Sequence, residues 1–174
     1  MHFVNKIFLL IFLGVIGALA YFVGIPFIEN FQNNTLARQI ALEISTNEKN
    51  PILTSLGSST LLVSLAVTNF EKERGLGGSF FLSDRSGLLF VYDRDGYPAI
   101  WMKNMIFPID IIWLNSDFRV IDVEKNVSPN TYPTSFRPDL PARYVLEVNA
   151  GFFDLHNIQI GETLMLVDEE ELSV

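Results

Sequence analysis

The pattern of apolar and polar positions splits the chain into a membrane-type segment and a domain. From Ile7 to Ile28 the sequence reads IFLLIFLGVIGALAYFVGIPFI, twenty-two residues without a charge. A membrane-spanning helix needs about 20 such residues. Lys6 precedes the run and Glu29 follows it, so the positive-inside tendency places the N-terminus in the cytoplasm and the remainder outside. Ala18-Leu19-Ala20 offers the rival reading, an A-x-A site for signal-peptide cleavage. The apolar run continues past Ala20 through Tyr21 to Ile28, which favours an uncleaved anchor. The expected organisation is a membrane segment over 1–28, a polar linker over 29–50 and an exported domain over 51–174.

Within the domain the period shortens to that of strands. ILTSL and TLLVSLAV flank Gly57-Ser58-Ser59 and predict a hairpin. Asn69 is a reasonable N-cap for a short helix over FEKER, with Gly75 to end it. LLFVYD and YPAIWM, separated by Asp93-Arg94-Asp95-Gly96, predict a second hairpin. IDIIWL and RVIDVE, separated by Asn115-Ser116-Asp117, predict a third. A proline-rich loop follows, holding Pro129, Pro133, Pro138 and Pro141. RYVLEVN is a further strand, AGFFDLHN a short helix, and TLMLVD closes the sheet. The expected fold is mainly β: a compact antiparallel sandwich or barrel with one or two short helices, preceded by an N-terminal transmembrane helix.

Composition narrows the chemistry. The formal charge is −8, with no stripe of Lys and Arg to neutralise phosphates, so nucleic acid is not an expected partner. There is no Cys and only two His, of which His2 precedes the apolar run. That set supports neither a Cys-type nor a His-rich metal site, and no cofactor or metal is expected. A Ser-His-Asp triad would have to use His156, which has no nucleophile motif near it. Arg74-Gly-Leu-Gly-Gly78 is glycine-rich but lacks the spacing of a phosphate loop.

The polar residues inside IWMKNMIFPIDIIWL, Ile100 to Leu114, are the main candidates. Strand alternation gathers Lys103, Asn104 and Asp110 around one short connection. One reading is a structural clip in which these groups satisfy each other and the loop backbone. The other is a ligand pocket, with Trp101 as apolar wall and Arg74, Lys103, Asn104 and Asp110 as its polar groups. Glu147 shares a strand face with Arg143 and is read as a surface residue. Were both faces covered, it would need a cation, with Arg74 or Lys103 available.

Five segments resemble the bacterial and archaeal family called domain of unknown function 192: RGL at Arg74–Leu76, GLLFVY at Gly87–Tyr92, the WMKN block, KNVSP at Lys125–Pro129, and RYVLEVNAG at Arg143–Gly151. The resemblance runs from about Leu61 to Leu166. It implies a compact, mainly β domain, often secreted or anchored, with no established biochemical activity. Met105 stands where the family usually has a small hydroxyl residue, and the loop after Pro129 lacks the Cys often found there. Both departures argue for binding or a structural role over catalysis. The expected function is a membrane-tethered extracytoplasmic domain that binds a small polar ligand or an envelope partner without catalysis. The alternatives are a hydrolase using Lys103 or Asp110, and a purely structural envelope protein. The expected location is the cell membrane, single-pass, or outside it if the chain is cut after Ala20.

Overall fold

The computed structural model describes residues 35–46 and 50–167, so the apolar stretch Ile7–Ile28 lies outside the described residues. No helix among the described residues is long and apolar enough to cross a membrane. Helix α1 covers residues 35–46 and buries Leu36 and Ile40, spaced by four so that both fall on one face. Strands β1 (Ile52–Leu56) and β2 (Ser59–Ala66) form the predicted hairpin. Helix α2 (Asn69–Arg74) follows, then β3 (Ser86–Gly96), β4 (Ile100–Trp101), β5 (Ile109–Leu114) and β6 (Val120–Val127). A single 3-10 turn at Pro129–Thr131 precedes β7 (Ser135–Phe136), β8 (Ala142–Asn149), helix α3 (Phe152–Leu155) and β9 (Met165–Leu166).

Seven strands make one sheet in the order β6-β5-β8-β3-β2-β1-β9, curled into a half-barrel. The segment over residues 161–166 runs between its two edges. Gly161 and Leu164 donate backbone N–H groups to Val120 and Phe118 beside β6, and Met165–Leu166 pairs with β1. The sheet is not antiparallel throughout, as expected from the hairpins, because β2 and β3 run parallel. The helix and loop of residues 67–85 supply the crossover that a parallel pair requires. The second expected hairpin is also corrected. Residues 97–99 carry the chain off the sheet after β3, and β4 pairs with β7 in a separate two-stranded ribbon.

Both faces of the central strands are covered, and this explains why all six residues of β5 are buried. One face packs Leu61, Leu89, Ile112, Leu114, Leu146 and Val148 against α1, α3 and Phe118. The other packs Phe90, Ile109, Ile111, Trp113 and Val145 against Leu76, Ile100, Met102 and Met105. This second core is roofed by loops and by the short β4–β7 ribbon rather than by a helix. Trp113 Nε1 donates to the Pro98 carbonyl at 3.1 Å, tying one roof segment to the sheet.

Asp110 lies at the start of β5 with no exposed surface. Its Oδ1 accepts the N–H groups of Asn126 at 2.8 Å and Gly151 at 3.1 Å, and its Oδ2 accepts that of Phe153 at 2.9 Å. Asn126 has φ 53° and sits where the β5–β6 register shifts, so the carboxylate satisfies a bulge and the start of α3 together. Three charge-assisted bonds offset the desolvation of the group. Asp110→Ala is expected to lower unfolding free energy by about 3 kcal/mol, because one buried and two part-buried N–H groups lose their acceptor. Urea unfolding checks this, and a loss below about 1 kcal/mol would contradict the clip.

Candidate functional site

The site is built from the loop that follows α2. Thr68, not Asn69, caps that helix in a reciprocal capping box. Its hydroxyl accepts the Glu71 N–H, while Glu71 Oε2 accepts the N–H groups of Thr68 at 2.9 Å and Val67 at 3.0 Å. The helix ends at Gly75, whose φ of 52° and ψ of −134° suit only glycine. From there the chain crosses the turn formed by Lys103 and Asn104, and the two backbones touch. A Cβ on Gly77 would stand 2.7 Å from the Arg74 carbonyl oxygen and 2.8 Å from that of Lys103. Gly78 donates its N–H to the Asn104 carbonyl at 3.0 Å. Farther on, Asn149 Nδ2 donates to the Leu82 carbonyl at 2.9 Å, which holds the loop onto β8. Of the glycines in Arg74-Gly-Leu-Gly-Gly78, Gly77 thus serves close backbone packing, while Gly75 and Gly78 take positive φ.

Beneath this roof lies Glu147, on the same face of β8 as Val145 and 3% exposed. The surface reading is overturned, because the loop covers the face that strand alternation assigns to solvent. Neither Arg74 nor Lys103 forms an ion pair with it. Lys103 Nζ instead binds Glu73 Oε1 at 3.1 Å and stands 5.2 Å from the Trp101 ring centroid. Glu147 Oε2 is buried with no hydrogen-bond partner among the described residues. Burial pushes the Glu147 carboxyl up to about 8, against a smaller opposing effect of the Leu76 N–H. Tyr92 on β3 is raised to about 12, by its own burial first and then by the charge of Glu147.

A cavity of about 20 Å³ opens at this carboxyl and is lined by Lys72, Arg74, Trp101, Lys103 and Glu147, with Phe90 and Met105 as apolar wall. That volume admits roughly one water-sized group. Sharing Glu73, Arg74, Gly77 and Lys103 with it is an open bowl of about 210 Å³, completed by Phe70 and Asn104. Four of the five residues singled out in the sequence, Arg74, Trp101, Lys103 and Asn104, therefore border this pair of cavities. Asp110 lines neither. Glu147 was the residue that patterning missed, although a lone acid within YVLEV is itself a signal.

The family model DUF192, described as "Uncharacterized ACR", matches residues 52–166. The chain belongs to this family. Two crystal structures share the fold of its DUF192 domain. One is a protein of unknown function from Novosphingobium aromaticivorans DSM 12444, with TM-score 0.60 and 28% identity, covering 66% of this chain and 82% of that one. The other is a protein from Sinorhizobium meliloti 1021 proposed as a transcription regulator, with TM-score 0.62 and 27% identity, covering 67% and 92%. Comparison with curated proteins returns no match.

The buried acid gives the DUF192 domain a pH-dependent stability of definite sign. Its folded value, about 8, lies above the ordinary 4.5. The native state then holds the proton more tightly than the unfolded chain. The contribution is whole below about 4.5 and is lost as pH rises to about 8. The limiting slope is ~1.4 kcal/mol per pH unit. Glu147→Gln is expected to flatten this loss, so that the variant gains on wild type as pH rises between these two values. Chemical denaturation at several pH values checks the slope; parallel profiles for the two proteins would contradict it.

Proposed function

We propose that the DUF192 domain of this chain is a membrane-tethered, extracytoplasmic binding domain that takes a small polar ligand in the cleft between the α2 loop and the Lys103–Asn104 turn. One observation carries the reading: Arg74, Lys103 and Asn104 border a bowl of about 210 Å³ that shares Glu73, Arg74, Gly77 and Lys103 with the small cavity lined by Glu147, whose Oε2 is buried and unpartnered among the described residues. A few convergent polar groups over an apolar floor are the usual make-up of a small-molecule site. Trp101 at the rim, 41% exposed, suits a sugar-like ligand by covering an apolar ring face.

A hydrolase built on Lys103 and Asp110 is disfavoured by the geometry. Asp110 is engaged by three N–H groups and lines neither cavity, while Lys103 is paired with Glu73. The regulatory description of the Sinorhizobium relative is not carried over, since a chain of charge −8 without a basic stripe makes a poor nucleic-acid ligand. Tethering rests on the uncharged run Ile7–Ile28.

A thermal-shift screen of the full-length protein with neutral and acidic monosaccharides tests the cleft. At least one compound should raise the melting temperature, and Arg74→Ala and Lys103→Ala should each reduce that shift. A stabilisation left unchanged in both variants contradicts the assignment. For the tether, mass spectrometry of the mature protein should find an N-terminus upstream of Ala20; a chain starting at Tyr21 would replace the anchor with a cleaved signal peptide.

A further inference from the structure

The unpartnered oxygen at the base of the cleft narrows the ligand class. A carboxyl group that stays protonated must donate its O–H, and no acceptor among the described residues meets Glu147 Oε2. The nearest space from which an acceptor can come is the cavity of about 20 Å³ that Glu147 lines. A buried donor without an acceptor is costly, so an occupant bearing an oxygen acceptor is favoured.

The charges around the cavity define that occupant further. Lys72, Arg74 and Lys103 line it, against the one ionised carboxylate of Glu73. Lys103 is neutralised by Glu73, and Lys72 rests 4.7 Å from the Tyr92 ring centroid. Arg74 is exposed and makes no ion pair or hydrogen bond through its side chain with the described residues. In a chain of net charge −8 this is a local reversal of sign. A cationic fork beside a neutral O–H donor suits a carboxylate, whose two oxygens can accept from both.

Resting on the cleft reading above, we propose that the cleft is a carboxylate-binding site in which Glu147 donates through Oε2–H to one oxygen of a small organic acid and Arg74 binds the other. The outer bowl of about 210 Å³ suits an acidic monosaccharide. Protonated Glu147 attracts the anion and ionised Glu147 repels it, so binding is linked to its proton. The groups facing Glu147 are Tyr92 from β3, Lys72, Glu73 and Arg74 from α2, and Lys103 from the turn. Tyr92, at about 12, stays protonated across the range in which Glu147 titrates.

Isothermal titration calorimetry of the full-length protein with D-glucuronate and with D-glucose tests this. Glucuronate should bind at least about tenfold tighter than glucose near neutral pH, as expected of a charge-assisted pair. Its affinity should fall about tenfold per pH unit above the Glu147 midpoint. Glu147→Gln, whose amide still donates, should keep binding and lose that fall. A fall that persists in Glu147→Gln overturns the role of Glu147. Failure of wild type to bind glucuronate overturns the carboxylate class. Glucose bound as well as glucuronate, with both weakened by Arg74→Ala, overturns this inference and leaves the polar-ligand cleft standing. If Glu147→Gln does not fold, the exposed Arg74→Ala decides: its preference for glucuronate must shrink about tenfold, and an unchanged preference overturns the proposal.

Discussion

The close approach of two backbones, Gly77 against the carbonyls of Arg74 and Lys103, is the constraint on which the rest of the site depends. It lets the α2 loop lie flat over the second face of the sheet. Without a roof that face would be wet, and Glu147 would be an ordinary solvated acid. With the roof in place the face becomes a second core, built from Phe90, Ile111, Trp113 and Val145 below and Leu76, Met102 and Met105 above. The cost is a carboxyl group with 3% exposure and one unpartnered oxygen. Stability and site are coupled here, since the interaction that closes the core also buries the proton-binding group.

The two acids of the central strands show how burial alone does not assign a role. Asp110 and Glu147 are both buried, on neighbouring strands and opposite faces of the sheet. Asp110 accepts three backbone N–H groups and holds together a bulge and a helix start. Glu147 meets one opposing N–H and otherwise faces a cavity. The first arrangement consumes the carboxylate's hydrogen-bonding capacity, and the second leaves it available. The three residues grouped in the sequence part company: Asp110 ties a bulge to a helix start, Lys103 pairs with Glu73 instead of Asp110, and Lys103 and Asn104 border the open bowl.

Much of the sheet is legible in the amino-acid order. The β1–β2 and β5–β6 hairpins follow from alternation and turn residues a few positions apart. The predicted pairing of YPAIWM with the strand before it failed because Ile100–Trp101 bonds to Ser135–Phe136, a partner chosen across more than thirty residues. Alternation places Glu147 opposite Leu146 but says nothing of what covers its face. That cover is Arg74–Gly78, some seventy residues earlier. Likewise the donors to Asp110 lie 16, 41 and 43 residues away, out of reach of any local pattern. The family resemblance carries the β class and is silent on chemistry.

The central claim is that Glu147 holds a proton at neutral pH because the α2 loop shuts it away from water. Its side-chain carboxyl carbon can be followed by NMR in full-length protein labelled at glutamate, with Glu147→Gln assigning the resonance. The account predicts a midpoint near 8, well apart from the other glutamates. A midpoint at the ordinary 4.5 would contradict it and return the residue to solvent.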